Sequence, residues 1–247
     1  MRFYPSHRCT FLMVAALPAV ILMAAGCQSP RPGPTGADLS LIGLHPEVAA
    51  SIHGDNRAQI GVEPKARFPL RLAVAELIAA ECGDRSRYRV TQPAAPKRLE
   101  PLAELQAVAD VRIIDRRMVP RPQDDGEPLR RAAELLGADM LLAYTIHLDV
   151  TSDDKLPVLT LLTLGLAPTV TERGNAVIDA VLIDSHSGYI YGVARTEASN
   201  TRLATPWSSR KAARRAIARA RERAVTHLID RMPGAWSAVP DEYAYAR

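Results

Sequence analysis

The sequence predicts an α/β protein, a mixed sheet of about five to six strands with helices packed on it and a long C-terminal amphipathic helix. Three observations carry that expectation. Apolar runs with strand-like alternation recur from Phe68 onward. Segments with helical period separate the early ones, so crossovers join them. The closing stretch from Thr205 to Met232 places Ile217, Ala220 or Ala224, Leu228 and Met232 on one helical stripe.

Taken in order, "FPLRLAVAEL" alternates between charged, Pro-containing flanks and is read as a strand, with a helix as its rival. "LEPLAELQAVADV" sets Leu102, Leu105 and Val108 or Ala109 on one helical face, and "VRIIDRRMV" is a strand. In "EPLRRAAELLGAD" Leu129, Ala132, Ala133 and Leu136 recur at helical spacing, and Gly137 stops the helix. "MLLAYTIHLDV" begins with a continuous apolar run, as a central strand does. "LPVLTLLTLGLAPTV" is too short and too rich in Thr and Pro for a membrane span, and is read as a buried strand or loop that leans on a partner. "NAVIDAVLIDSHSGYIYGVARTEAS" is a hairpin turning at "DSHSG", where Gly188 supplies the permissive backbone. Thr205 suits an N-cap and Pro206 the first helical position of the last helix, which Pro233-Gly234 closes.

The N-terminus is organised differently. Arg2, His7 and Arg8 precede the apolar run Phe11 to Ala25, which is shorter than the roughly 20 residues a membrane span needs. Small residues Ala24, Ala25 and Gly26 lead to Cys27, and "AAGC" resembles the bacterial lipobox, with Ala24 where Leu is usual. That likeness implies cleavage after Gly26 and acylation of Cys27 with diacylglycerol and a further chain, including palmitate. Several chains hold a membrane far more firmly than one. Gln28 in the following position, in place of an Asp, implies the outer membrane on its periplasmic side. Residues 1–26 are thus a signal peptide and 27–66 a lipidated, Pro-rich tether with an irregular lead-in. Residues 67–235 form one α/β domain and 236–247 a tail.

The formal charge of +4 is local. Removing residues 1–26 takes away Arg2 and Arg8 and no acid, which leaves 29 basic against 27 acidic side chains. Thr205 to Met232 holds eight Lys or Arg against two acids, so the rest of the mature chain is net acidic. A nucleic-acid partner is not implied. Within the last helix Arg210, Lys211, Arg214, Arg215, Arg219, Arg221 and Arg223 crowd together, and i,i+4 like charges disfavour it. Two readings stay open. Carboxylates elsewhere in the domain neutralise this face, or it meets anionic headgroups, an anionic envelope polymer or an acidic partner protein.

Catalytic and metal signals are sparse. The chain has no Gly-rich phosphate loop, nucleophile elbow, H-E-x-x-H or paired C-x-x-C. His45 and His53 lack a third ligand, so no metal and no cofactor is expected. With Cys9 lost and Cys27 acylated, Cys82 stands beside Glu81, which raises rather than lowers a thiol pKa, and is read as passive. In "IDSHSG" Asp184, Ser185 and His186 are read as turn chemistry rather than as a triad.

The stretch "LRRAAELLGADMLLAYTIHLD", then "LLTLGLAPTV", then "AVIDAVLIDSHSGYIYGVARTEA" and the closing helix together resemble the rhombotarget lipoproteins of bacteria, over roughly Leu129 to Met232 plus the lipobox. More distantly they are similar to the periplasmic domain of the curli-secretion lipoprotein. The first likeness implies a membrane-anchored envelope protein and supplies no catalytic residue; the second implies pore formation. The expected function is therefore a non-enzymatic binding, scaffold or assembly component. The alternatives are an envelope hydrolase built from His147, Asp149 and His186, and a subunit of a secretion or assembly complex.

Overall fold

A computed structural model describes Leu39 and residues 63–82, 85–93, 96–154, 157–164, 166–237 and 239, all within the unit Pro32–Arg247. Cys27, Gly26, His45 and His53 lie outside the described residues. The elements are β1 (Leu70–Cys82), β2 (Arg85–Thr91), a 3-10 segment (Pro96–Glu104), β3 (Val108–Ile113), α1 (Glu127–Leu135), β4 (Met140–Asp154), α2 (Pro157–Leu162), β5 (Val170–Asp184), β6 (Ile190–Ala204) and α3 (Ser209–Trp236). The fold is the mixed six-stranded α/β arrangement that the alternation and helical periods imply.

The sheet runs β2-β1-β4-β5-β6, with β3 also paired to β1. β1 carries two partners on one edge: parallel β3 beside Leu70 to Val74 and antiparallel β2 beside Glu76 to Cys82. Its other edge pairs parallel with β4. From β4 onward the sheet is an antiparallel meander, Met140 opposite Asp184 and Ile183 opposite Ile190.

Period-two alternation divides the core between the two faces. Leu70, Leu72 and Val74 of β1 join Leu142, Tyr144 and Ile146 of β4 beneath α3. Ala73, Ala75 and Leu77 join Leu141 and Ala143 beneath α1, where Leu39 of the lead-in is also buried. Towards the β4–β5 loop the α1 face becomes open and polar, and Asp179 there lies near both His147 and Arg195. Edge strand β6 shows Arg195 and Glu197 to solvent, which discourages strand addition.

α3 lies unusually close to the sheet. Its Ala216, Ala220 and Ala224 are buried, and Thr196 on β6 donates its hydroxyl to the Ala224 carbonyl at 3.3 Å. On β5, Gly174 sits where a Cβ would come 2.6 Å from the backbone of Ala216 and Ile217. Small residues on both sides make this approach sterically open.

Several local expectations are corrected. The helix over "LEPLAELQAVADV" is a 3-10 segment that stops at Glu104. Pro101 lies inside it, and Ala107 at φ 62 turns the chain so that β3 starts at Val108. Leu99 and Leu102 still face inward, three residues apart, as a 3-10 turn requires. β2 was not expected at all. Thr205 and Pro206 form a turn, and the last helix begins at Ser209 after Ser208. That helix runs through Pro233 to Trp236, whose buried indole donates to the Gln106 carbonyl at 2.7 Å and fixes the last turn. Most of "LPVLTLLTLGLAPTV" is not the expected buried strand: Pro157–Leu162 form α2 and a loop follows, with Val158, Leu161, Leu162, Leu164 and Leu166 each at least 67% exposed, and only Thr169 and Val170, which opens β5, are buried at its end.

Asp184 ties the hairpin turn to the lead-in. One carboxylate oxygen accepts from the backbone N–H of His186 and of Ser187, both at 2.9 Å. The other accepts from the backbone N–H of Lys65 and Ala66 at 2.6 and 2.8 Å, and from the Tyr191 hydroxyl at 3.0 Å. Burial pushes its pKa up, but the hydrogen bonds from Ser187, Lys65, Tyr191 and His186 outweigh burial and hold it below the usual carboxylate range. A depressed folded-state pKa means that the charged form contributes stability above about pH 4, lost as pH falls through the folded value. Asp184→Asn removes the charge and turns an amide donor onto donors. It is expected to cost about 2 kcal/mol near neutrality and to flatten the acid limb of stability, as read by urea melts across pH.

Candidate functional site

The seven cations crowded between Arg210 and Arg223 of the last helix do not share one fate. Arg221 turns inward and pairs with Glu76, a β1 carboxylate only 1% exposed. Tyr144 donates its hydroxyl to the other oxygen of Glu76 at 3.0 Å. Burial, reinforced by that carboxylate, pushes the Tyr144 phenol well above its ordinary range. Arg223 donates to the Ser199 carbonyl at 3.1 Å, and Glu222 on the same helix is taken by Arg98 of the 3-10 segment at 2.7 Å. The remaining five, Arg210, Lys211, Arg214, Arg215 and Arg219, are exposed and have no ion-pair partner among the described residues.

Helical spacing gathers three guanidinium groups around one depression. Arg215 and Arg219 are one turn apart on α3, and Arg202 reaches up from β6. With Ala218 and Glu222 they line an open groove of about 460 Å³. The Arg202 Nε–H is buried and has no acceptor among the described residues. Guanidinium forks present paired N–H donors, so the groove suits carboxylate or phosphate.

The hydrolase candidates are not brought together. His147 lies 3.6 Å from Asp179, while His186 lies 3.3 Å from Glu134 of α1. His147 is level with Val177, and His186 follows Asp184 at the far end of β5. At the rise of a strand that is a separation of about 20 Å or more. Ser185 is held by the Ala138 and Asp139 carbonyls at 2.6 and 2.9 Å, in agreement with the turn reading. Among the described residues no cluster of three or more His, Cys, Asp or Glu could hold a metal ion, and no helix is long and apolar enough to cross a membrane.

Sequence reasoning missed Glu76 and Arg202. Glu76 carries a signal in retrospect: in "LRLAVAEL" it continues the inward phase of Leu70, Leu72 and Val74, so a buried acid there needs a cation. Arg202 carries none, because its place beside α3 depends on the strand pairing.

The architecture defines a mixed-sheet α/β domain with one long helix laid across the sheet and a cationic groove beside that helix. No protein-family model matches the chain, nor does any curated protein sequence. Among solved structures it is similar to a candidate lipoprotein from Caulobacter crescentus at 15% identity, covering 45% of this chain and 83% of that one, with a TM-score of 0.28. A Xanthomonas campestris protein of the DUF330 family matches at 14% identity over 74% of this chain and 96% of its own, with a TM-score of 0.34. A dodecamer-forming PelC variant from Paraburkholderia phytofirmans matches at 15% identity over 68% and 94%, with a TM-score of 0.28.

Proposed function

We propose that this chain is a bacterial envelope lipoprotein of the rhombotarget kind. It is held through acylated Cys27 at the periplasmic side of the outer membrane and acts as a non-enzymatic binding and scaffold component. Its ligand is an envelope protein or polymer bearing carboxylate or phosphate groups, which docks in the groove between α3 and β6. The observation that carries this reading is the depression that the exposed Arg215 and Arg219 and the half-buried Arg202 surround, none of them with a carboxylate ion-pair partner among the described residues. Cations repel one another along a helix, and an anionic ligand removes that cost.

The test is capture of material from detergent-solubilised envelopes by the immobilised mature protein. Wild type is expected to retain a salt-sensitive component that Arg215→Glu with Arg219→Glu loses by tenfold or more, about 1.4 kcal/mol in binding. Both side chains are exposed, so the variant is expected to fold. Equal capture by wild type and variant would remove the groove from the reading, and palmitate labelling that survives Cys27→Ala would remove the anchor.

A further inference from the structure

We propose that the apolar end of the domain, built from α2, the loop that follows it and Trp207, seats in the interfacial layer of an anionic lipid bilayer. This goes beyond an acyl tether, since it assigns the folded domain its own membrane contact and hence a fixed orientation. It does not depend on the groove.

Val158, Leu161 and Leu162 fall at i, i+3 and i+4 and so share one face of α2, yet each is at least 67% exposed. Leu164 and Leu166 continue the apolar surface along the loop, and Trp207 is the most exposed of these side chains at 80%. The loop is tied in place. Leu164 adopts φ 50, left-handed for a non-glycine, and its N–H donates to the Leu161 carbonyl at 3.2 Å. The Trp207 indole N–H donates to the Leu164 carbonyl at 3.3 Å, which joins the β6–α3 turn to the loop. The result is a projecting tip of several large apolar side chains rather than singly scattered ones.

Charge selects the occupant. Arg210, Lys211 and Arg214 open α3 directly after Trp207, and at 1.5 Å rise per residue the first two lie within about 10 Å of it along the helix. Exposed Arg173 lies three residues into β5, where Asp153 and Asp154 end β4 and the buried Glu172 faces inward, so with Arg210, Lys211 and Arg214 the collar is net positive. An apolar tip that includes tryptophan, ringed by long cationic side chains, matches a bilayer interface. Indole and leucine enter the headgroup–acyl boundary while Arg and Lys reach anionic phosphates. A second copy meeting tip to tip would press one cationic collar against another.

Trp207 also supplies the probe. The acylated full chain is reconstituted into phosphatidylethanolamine vesicles with or without phosphatidylglycerol, using brominated acyl chains as quencher. Subtracting a Trp207→Phe variant isolates the Trp207 signal from that of the buried Trp236. The Trp207 emission is expected to shift to the blue and to be largely quenched. The effect should be stronger with phosphatidylglycerol and absent from Leu161→Asp with Leu164→Asp, both exposed and therefore compatible with folding. Unquenched Trp207 in protein that sediments with the vesicles overturns the proposal and leaves anchor and groove untouched. Trp207 that is shielded from an aqueous quencher and yet unquenched by brominated lipid also overturns it, in favour of a contact with another copy of the chain.

Discussion

Arg221→Ala is expected to lower the unfolding free energy by about 3 kcal/mol, the low end of the range for breaking a buried ion pair. Glu76 is only 1% exposed and its neighbours on that face are Leu72, Val74 and Leu142, so deleting the guanidinium leaves a carboxylate with poor solvation. Two features limit the loss. Arg221 itself is 28% exposed, so water can enter the vacated space, and Tyr144 still donates to Glu76. Replacing all three polar groups at once has a different expected outcome. Glu76→Leu with Arg221→Met and Tyr144→Phe removes both charges and the hydroxyl of these described contacts together and should recover most of the loss, because neither Arg221 nor Tyr144 is left facing a lost partner. Chemical denaturation of the single and triple variants separates the cases. If Arg221→Ala melts like wild type, the pair does not hold α3 to β1.

That pair also marks the limit of what the sequence discloses. β1 and β5 were legible, because the near-continuous apolar runs in "LRLAVAEL" and "AVIDAVLID" send successive side chains to two core faces. α1 was legible from its apolar spacing and from Gly137, which takes φ 67 after the helix. β2 was hidden because it is an edge strand: of its described side chains only Tyr88 and Val90 are buried, and arginines occupy the alternate positions in the sequence. The leucine run after β4 misled for another reason. Hydrophobicity records what a side chain prefers, not whether this chain supplies a cover for it, and here the described residues supply none. The basic helix was legible as basic, but its division was not. Arg221 and Glu222 find partners 145 and 124 positions away, a separation that only the folded topology closes. The groove therefore emerges as what is left after those two contacts are made.

The position of that groove rests on a single missing methyl group, and Gly174→Ala is expected to cost about 3 kcal/mol. A Cβ at Gly174 would fall 2.6 Å from the Ala216 carbonyl carbon and from the Ile217 nitrogen, and 2.9 Å from the Ala216 oxygen. These are backbone atoms in the middle of a helix, so no rotamer change relieves the overlap. The helix must lift from β5 or the strand must bend away, and either movement opens the packing of Ala220 and Ala224 behind it. Because the clash involves main-chain atoms, Ala216→Gly in the same protein is expected not to restore stability, whereas it would relieve a side-chain overlap. The change also reaches the functional surface. Arg215 and Arg219 flank the displaced turn while Arg202 stays on β6, so lifting the helix widens the groove and separates its guanidinium groups. Thermal melts should show the loss of stability, and envelope capture should weaken even well below the melting temperature. A Gly174→Ala protein that melts and captures like wild type would show that helix and sheet are not in the close contact on which the groove depends.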